Sequence, residues 1–407
     1  MNILFLTMSS GMEKIEASGI YTDLMRKFRD EGHQVYIMYP RERKLGKPTE
    51  LKEGNGVHSL GVKTLNVTKT NVIEKGVGQL SLESLFKSAL KTYFGKVKFD
   101  VILYSTPPIT FTKVIQYAKK QNPEAMTYLL LKDIFPQNAV DLGMLSVSGL
   151  KGFLYKMFRN KEKKLYQVSD YIGCMSPANV KYVLEHNPEV NPAIVEIAPN
   201  SCDIPEEETC SAVKPLSENI RNKYHLPLDR PIFIYGGNMG KPQGIPFLVE
   251  CMKAVKDRKD CHFVIVGGGT EYSKLESFMN EYHPSAVSLF KSLPKQDYDA
   301  LAASCDVGLI FLDYRFTIPN YPSRLLSYLM GRKPILACTD PNCDTGILAE
   351  QNGYGFYSPS NSVDAFVKNV ERMLVSDIHQ MGENGYQFFL NNYTVEHTYQ
   401  AIMKHLK

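Results

Sequence analysis

The apolar positions of this chain fall into short continuous runs, and most runs end at glycine, proline, serine or aspartate. Runs without polar alternation are typical of parallel strands that helices cover on both faces. Strands are predicted at 3–6, 35–38, 101–104, 126–131, 171–175, 232–235, 307–312 and 334–338. Helices are predicted between and after them, among others at 19–31, 363–374 and 395–406. This order predicts an α/β fold with doubly wound sheets.

The clearest unit lies between the apolar runs 307–312 and 334–338. Pro322 and Ser323 favour the start of a helix there, and Gly331 favours its end. A strand, a helix and a second strand form a βαβ unit. Ligands of such sheets bind at the carboxyl ends of the strands, so the loop before this helix is expected to face a site.

Length and composition indicate a protein of two domains. The chain has 407 residues, and residues 201–218 contain two prolines and three consecutive glutamates without an apolar period. We therefore expect a first domain at 1–200, a linker at 201–218, a second domain at 219–385 and a final helical segment at 386–407.

Charge and cysteine usage narrow the class of protein. The net charge is +4, which gives no reason to expect a nucleic acid or another acidic polymer as ligand. None of the eight cysteines forms a Cys-x-x-Cys pair, so they are interpreted as reduced core residues of a cytoplasmic protein. The first apolar run is too short for a signal peptide, and no run reaches the roughly 18 residues of a membrane-spanning helix.

Several segments resemble one family in their order along the chain. Residues 322–337 resemble the nucleotide-sugar-binding segment of retaining GT-B glycosyltransferases of the family-four type. Residues 232–245 and 263–269 resemble the phosphate loop and the next turn of that domain, and 133–137 and 198–200 resemble further landmarks. The likeness is greatest to bacterial enzymes of capsule and O-antigen assembly, especially a subgroup that transfers N-acetylated aminosugars.

The resemblance implies a GT-B fold, in which two Rossmann-like doubly wound domains face a cleft. The first domain would bind the acceptor and the second the nucleotide sugar. The segment 386–407 would pack back towards the first domain.

A nucleotide-sugar donor carries two phosphates, which require N–H donors and positive charge. Gly237 and Asn238 follow a predicted strand, and Lys241 adds a cation, so together they predict a diphosphate cradle. The alternative is a plain tight turn. Gly268 is interpreted mainly as a residue that the turn requires, and only secondarily as a nucleotide contact.

The helix after Pro322 carries further candidates for donor binding. Arg324 could bind two phosphate oxygens, and Ser323 could donate to the same phosphate or cap its own helix. The family places two glutamates eight positions apart, of which the second holds the ribose hydroxyls. Pro319 and Ser327 stand at those positions here, so Ser327 and the nearby Asp313 are expected to take over part of that work.

Catalysis is expected to depend on charge neutralisation. No Asp-x-Asp pair stands in a setting suited to a metal, so Lys241 and Arg324 are predicted to stabilise the leaving phosphate without a metal or other cofactor, as the resemblance also implies. Asp133 is a candidate to orient or deprotonate the acceptor hydroxyl, or else a turn aspartate. Gly19 resembles the family's glycine loop, which lets the backbone approach the donor phosphate and the acceptor.

Two stretches suggest a membrane surface, because aromatic and aliphatic residues alternate with lysines at 82–98 and 150–166. The alternative is a pair of amphipathic helices that cover a core. Family acceptors are often lipid-linked sugars, which implies attachment to the inner face of the plasma membrane.

These observations together predict transfer of an N-acetylated hexosamine or deoxyhexosamine from a UDP-sugar to a lipid-linked saccharide, with retention. A non-catalytic GT-B subunit that supports a partner transferase is the alternative. A nucleotide-sugar 2-epimerase of related fold is a third, although its catalytic carboxylates have no counterpart here.

Overall fold

The computed structural model describes residues 1–67, 72–204 and 219–406, and the chain divides into two compact units. The first unit comprises Met1–Asp203 and Tyr393–Lys407, and the second comprises Ile204–Asn392. Most of the predicted linker, at 205–218, lies outside the described residues. The chain returns to the first unit at Tyr393, so the beginning of the predicted final segment still belongs to the second unit.

The first unit is built on an eight-stranded sheet. Its strands are β1 (Asn2–Leu6), β2 (Gln34–Glu42), β3 (Glu50–Gly54), β4 (Val57–Thr64), β5 (Val101–Ser105), β6 (Met126–Leu131), β7 (Tyr171–Cys174) and β8 (Val195–Ile197). They lie in the order β3-β4-β2-β1-β5-β6-β7-β8, and each neighbouring pair is parallel except β3 with β4.

Helices cover both faces of this sheet. They are α1 (Ile20–Asp30), α2 (Val72–Phe94), α3 (Thr112–Gln121), α4 (Gln137–Asp141), α5 (Gly149–Gln167), α6 (Pro177–His186) and, after the second unit along the chain, α14 (Val395–Met403). Leu4 and Leu6 belong to the core under α2 and α3, whereas Ile3 and Phe5 belong to the core under α1 and α14. Because successive strand residues point to opposite faces, the continuous apolar run at 3–6 is buried throughout.

The position of α2 corrects one expectation. Phe86, Leu90, Tyr93 and Phe94 were expected at a membrane-facing edge. Phe86, Leu90 and Phe94 are each at most 3% exposed and pack in the core of the first unit, whereas Tyr93 is 41% exposed. The lysines between them point to solvent, as in any helix that covers a sheet. Phe86, Leu90 and Phe94 therefore stabilise the fold and are not available to a membrane.

The second unit contains a parallel six-stranded sheet. Its strands are β9 (Ile232–Asn238), β10 (His262–Gly268), β11 (Val287–Phe290), β12 (Val307–Phe311), β13 (Ile335–Thr339) and β14 (Gly355–Pro359). Its helices are α7 (Ile245–Val255), α8 (Tyr272–Tyr282), α9 (Lys295–Ser304), α10 (Arg324–Met330), α11 (Thr345–Gln351), α12 (Val363–Leu374) and α13 (Ile378–Asn392).

The strand order β11-β10-β9-β12-β13-β14 reverses direction between β9 and β12. In the first unit the same reversal occurs between β1 and β5. Both sheets are therefore doubly wound and Rossmann-like, as the alternation of strands and helices predicted. Each reversal is the place where such a sheet leaves a crevice for a ligand at the carboxyl ends of its strands.

None of the helices in the described residues combines the length and apolar character that crossing a bilayer requires.

Candidate functional site

The crevice of the second unit opens between β9 and β12. These strands pair at two positions, Phe233 with Val307 and Ile234 with Gly308, whereas β9 pairs with β10 over seven. Tyr328 of α10 closes the base of the opening, because its hydroxyl donates a hydrogen bond to the Ile234 carbonyl at 3.0 Å. A Cβ on Gly308 would collide with the Tyr328 ring, so that glycine admits the tyrosine.

Gly237 and Arg324 come together at the carboxyl end of β9. Gly237 has φ 133°, and a Cβ there would lie 3.0 Å from Nη2 of Arg324. The neighbouring Gly236 is buried under Tyr298, whose hydroxyl occupies the space that a Cβ would need. The glycine pair therefore accommodates two side chains of the protein, and only Gly237 remains exposed.

Arg324 is the first residue of α10, and its guanidinium lies over the ring of Tyr235, with 4.3 Å from Cζ to the ring centroid. Its Nη1 is buried and has no hydrogen-bond partner among the described residues. Burial raises the pKa of Tyr235, and the charge of Arg324 opposes that rise. A buried guanidinium nitrogen without a partner is costly, so this position favours a ligand that brings an acceptor oxygen.

The loop between β9 and α7 is braced by its own side chains. Asn238 donates from Nδ2 to Oε1 of Gln243 at 3.0 Å, and the Gly240 N–H donates to the same oxygen at 3.1 Å. Lys241 begins a single 3-10 turn and is exposed, and the chain then enters α7 through the left-handed Gly244. Asn238 therefore shapes the loop, while the ammonium of Lys241 stands at its surface.

Gly268 lies at the end of β10 beside this loop. Its carbonyl accepts a hydrogen bond from the Met239 N–H at 3.0 Å, and the residue is exposed. The preceding Gly267 lies against the Gly237 carbonyl so closely that a Cβ would overlap it. Gly267 therefore allows the backbone of β10 to approach that of β9, and a nucleotide contact of Gly268 stays a prediction.

Asp313 reaches the same loop from β12. Its N–H donates to the Pro242 carbonyl at 2.9 Å, and its carboxylate accepts hydrogen bonds from Nε and Nη2 of Arg315, both at 2.8 Å. Burial acts to raise the pKa of Asp313, but the bonds from Arg315 outweigh it and hold that pKa below its ordinary value. A ribose hydroxyl would have to share this carboxylate with Arg315.

Ser323, Ser327 and Pro319 complete the predicted set in this unit. Ser323 is exposed, and its side chain forms no capping hydrogen bond within residues 323–330. Ser327 lies one turn further along α10 and is also exposed, whereas Pro319 is buried. Both serine hydroxyls are therefore accessible to a ligand at the start of α10.

In the first unit, Asp133 lies just after β6. Its N–H donates to Oγ1 of Thr106 at 3.1 Å, and burial raises the pKa of its carboxyl group. The preceding Lys132 donates from Nζ to the Ala198 carbonyl at 3.0 Å, and burial lowers the pKa of this lysine to about 7. An acid and a base, both with pKa values displaced towards neutrality, thus stand side by side at a strand end, as is common at functional sites.

Gly19 begins α1 on the same side of the first unit, and its N–H donates to Oδ1 of Asp23 at 2.8 Å. Two positions further on, burial raises the pKa of Tyr21 to about 12, and the charge of Asp133 acts in the same direction. Tyr21, Lys132 and Asn200 line one small cavity. Oδ1 of Asn200 is buried without a hydrogen-bond partner among the described residues.

Sequence reasoning did not identify Tyr235, Tyr298, Tyr21 or Lys132. Tyr298 comes from α9 and carries no signal in the sequence. Tyr235 directly precedes the glycine pair, and Lys132 directly precedes Asp133, so adjacency to a candidate was the available signal.

In the described part of the chain, no three His, Cys, Asp or Glu side chains are grouped so as to hold a metal ion.

The chain is similar in sequence to known glycosyltransferases. Residues 217–388 match the family model described as glycosyl transferases group 1, and this match contains every candidate of the second unit. The chain is 22% identical over 320 residues to the probable glycosyltransferase WbjE of Pseudomonas aeruginosa, covering 77% of this chain and 75% of that one. It is 27% identical over 164 residues to the putative colanic acid biosynthesis glycosyl transferase WcaI of Escherichia coli K12, covering 39% of each.

Two solved structures resemble the whole chain. Sucrose-phosphate synthase from Thermosynechococcus elongatus superimposes with a TM-score of 0.74 at 15% identity, covering 99% of this chain and 98% of that one. Anabaena HepE in complex with UDP and glucose gives a TM-score of 0.69 at 13% identity, covering 100% and 99%. At these identities the likeness shows the fold alone, which is GT-B.

Proposed function

We propose that this chain, a glycosyltransferase with a GT-B fold whose second unit matches the group 1 family, transfers a sugar from a UDP-sugar to a lipid-linked saccharide in bacterial surface polysaccharide synthesis. The proposed sugar is an N-acetylated hexosamine or deoxyhexosamine, transferred with retention. Support for the pathway comes from WcaI, which is named for colanic acid biosynthesis. Support for the donor comes from HepE, whose structures hold UDP, glucose or UDP-glucose.

The observation that carries this proposal is the buried, unpartnered Nη1 of Arg324 beside the exposed Gly237. A donor diphosphate at this crevice would supply the missing acceptor oxygens. Gly237 would let the phosphate approach the backbone, and Lys241 would add a second positive charge from the loop. Both cations would neutralise the charge that develops on the departing UDP, so the reaction is proposed to proceed without a metal.

The ribose is assigned to the start of α10. The exposed hydroxyls of Ser323 and Ser327 can donate to or accept from ribose hydroxyls, one turn apart on the same helix. Asp313 is the nearby carboxylate, and its use would require exchange with Arg315. Neutral serine contacts are weaker than ionised ones, so we expect modest affinity for the nucleoside.

The acceptor is assigned to the first unit. Asp133 would orient the acceptor hydroxyl and take up its proton, because a carboxylate whose pKa is raised by burial is a stronger base once ionised. The Gly19 loop would line the same site. A lipid-linked acceptor would place the protein in the cytoplasm at the inner face of the plasma membrane.

A second candidate function has one observation in its favour. Pro319 and Ser327 replace the two glutamates that the family resemblance implies, so the chain could be a non-catalytic GT-B subunit that supports a partner transferase. Such a subunit would bind nucleotide weakly, and Lys241→Ala would leave the activity of its complex unchanged.

A thermal shift experiment with UDP, GDP and a panel of UDP-sugars tests the proposal. A ligand at about a hundred times its Kd adds roughly 2.7 kcal/mol, which moves Tm by several degrees. We expect stabilisation by UDP or one UDP-sugar that Lys241→Ala reduces. Lys253→Ala, at a half-buried lysine of α7 that pairs with Glu250, should retain it. The absence of a shift with every nucleotide would overturn the transferase proposal in favour of the subunit.

A further inference from the structure

A group of apolar side chains is exposed on the first unit at the segment that enters α5. Met144 is 50% exposed, Val147 57%, Phe153 68% and Leu154 39%. With the exposed Lys151 and Lys156 they form what we call the α5 patch. Large apolar side chains gathered this way on a water-soluble surface indicate an interaction site.

The α5 patch is not needed to attach its helix to the core. Phe158 packs on Phe135, with 5.1 Å between ring centroids, and Leu165 and Tyr166 are buried in the core further along. The helical part of the patch lies in the first two turns of α5. Leu154 is three residues from Lys151 and Phe153 is three from Lys156, so that Leu154 and Phe153 each have a lysine as a helical neighbour. The loop that precedes α5 lies against the first turn of this helix, because a Cβ on Gly152 would approach the Val147 carbonyl at 2.6 Å.

The charge of this segment has one sign. Residues 142–161 contain no aspartate or glutamate, and within the described residues neither Lys151 nor Lys156 forms an ion pair. Arg159 differs, because it donates to Oε2 of Glu162 at 2.6 Å and to Oδ1 of Asn187 at 2.6 Å. Arg159 therefore holds α5 in place, and the charge presented to a partner comes from the lysines.

We propose that the α5 patch docks on an anionic phospholipid bilayer, with Phe153, Leu154 and Val147 inserted between headgroups and the lysines at lipid phosphates. The combination of aromatic and aliphatic residues with cations on one short surface suits the interface of such a bilayer. This inference rests on the proposed function, since a lipid-linked acceptor resides in a membrane. It narrows the broader expectation from the sequence, because Phe86, Leu90 and Phe94 of α2 are buried.

Vesicle flotation with the full chain tests the docking surface. We would use vesicles of phosphatidylcholine with and without phosphatidylglycerol, and the variants Phe153→Ser and Lys151→Glu/Lys156→Glu. Val375→Ser, at an 88% exposed valine of the second unit, and Lys120→Glu/Lys181→Glu, at exposed lysines of α3 and α6, are the matched controls. Both double variants change the net charge equally.

We expect binding that requires phosphatidylglycerol, and at least about a 25-fold loss of partitioning for the Lys151/Lys156 variant, since each lysine near an anionic surface contributes about a factor of five. Phe153→Ser should also float poorly, and both controls should float like the parent chain. Equal losses in the patch and control variants, or no binding to anionic vesicles, would overturn the proposal. So would a change of oligomeric state in Phe153→Ser without a change in flotation, which would assign the patch to a protein partner.

Nucleotide binding separates this test from that of the proposed function. Phe153→Ser should keep the thermal shift with UDP. A chain that floats through the α5 patch but binds no nucleotide would overturn the transferase proposal and leave the docking surface in place.

Discussion

The guanidinium of Arg324 lies over the ring of Tyr235, two residues before the glycine that its Nη2 approaches. Nη1 of the same guanidinium is buried and has no hydrogen-bond partner among the described residues. Cation–π contacts of this kind favour arginine, because a planar group can both stack and donate two hydrogen bonds in one plane. We therefore expect the crevice to bind an oxyanion.

Replacement of Arg324 tests this expectation. We expect Arg324→Gln to weaken UDP binding by about 10- to 100-fold, because a charge-assisted hydrogen bond contributes about 1.5–3 kcal/mol. Arg324→Lys should be intermediate, since it keeps the charge but loses the planar fork. Titration calorimetry with UDP measures the effect, and Arg332→Gln, at an exposed arginine paired with Glu383, is the control. Equal affinities across the series would show that UDP binds elsewhere.

Gly237→Ala should disturb both backbone and ligand. At φ 133° an alanine is strained, and its Cβ would lie 3.0 Å from Nη2 of Arg324, so we expect a stability loss of about 1 kcal/mol or more together with weaker UDP binding. Gly353→Ala is the matched control, because Gly353 has φ 66° and its Cβ would meet only the flexible amide of Asn384 within 4 Å. Thermal melts with and without UDP separate the two effects. Reduced UDP binding in both variants would contradict a specific role for Gly237.

Lys132 should make stability depend on pH above neutrality. Burial lowers its pKa from 10.5 to about 7, so between these values the unfolded chain holds a proton that the folded chain lacks. Stability therefore rises with pH through this window, and the penalty is fully present below pH 7. Lys132→Met should be more stable than the parent at pH 7, on the order of 3 kcal/mol, and the difference should vanish near pH 10.

Urea unfolding at several pH values measures this dependence. Lys120→Met, at an exposed lysine of α3, should show a difference from the parent that does not change with pH. A parallel stability profile for the parent and Lys132→Met would show that the ammonium stays charged in the fold.

Asp133→Asn should separate catalysis from folding. We expect kcat to fall about 100-fold or more if the carboxylate takes up the acceptor proton. Stability should not decrease, because burial disfavours the charged form of Asp133 and an amide avoids that cost. Initial rates at saturating donor, combined with a thermal melt, measure both. An unchanged kcat would assign Asp133 to the turn after β6.

The sequence predicted those parts of the fold that depend on strong local patterns. The predicted strand at 126–131 and the predicted helix at 363–374 match β6 and α12 residue for residue, because a continuous apolar run and a clear helical period have few alternatives. The stacking of Arg324 on Tyr235 was not predictable, since it joins residues from different elements that meet only in the folded sheet. Periodicity also could not distinguish the buried face of α2 from a membrane-facing one, because both are apolar stripes.

The site residues themselves remain predictions. Gly237 and Arg324 meet in the structure, and their neighbours Asn238, Lys241, Gly268 and Asp313 lie on adjoining loops. The partnership of Asp313 with Arg315 was readable in principle, since only Tyr314 separates them in the sequence. It was missed because a carboxylate near a predicted site was interpreted only as a possible ligand contact.

The return of the chain at Tyr393 has a consequence for synthesis on the ribosome. Tyr399 of α14 packs on Phe28 of α1, with ring centroids 5.2 Å apart, and Lys27 pairs with Glu396 at 2.6 Å. These partners of α1 are translated only after the whole second unit. During elongation, the part of α1 that α14 covers must therefore wait uncovered while residues 204–392 emerge. Nascent chains arrested within that interval should be bound by chaperones that recognise exposed apolar surface.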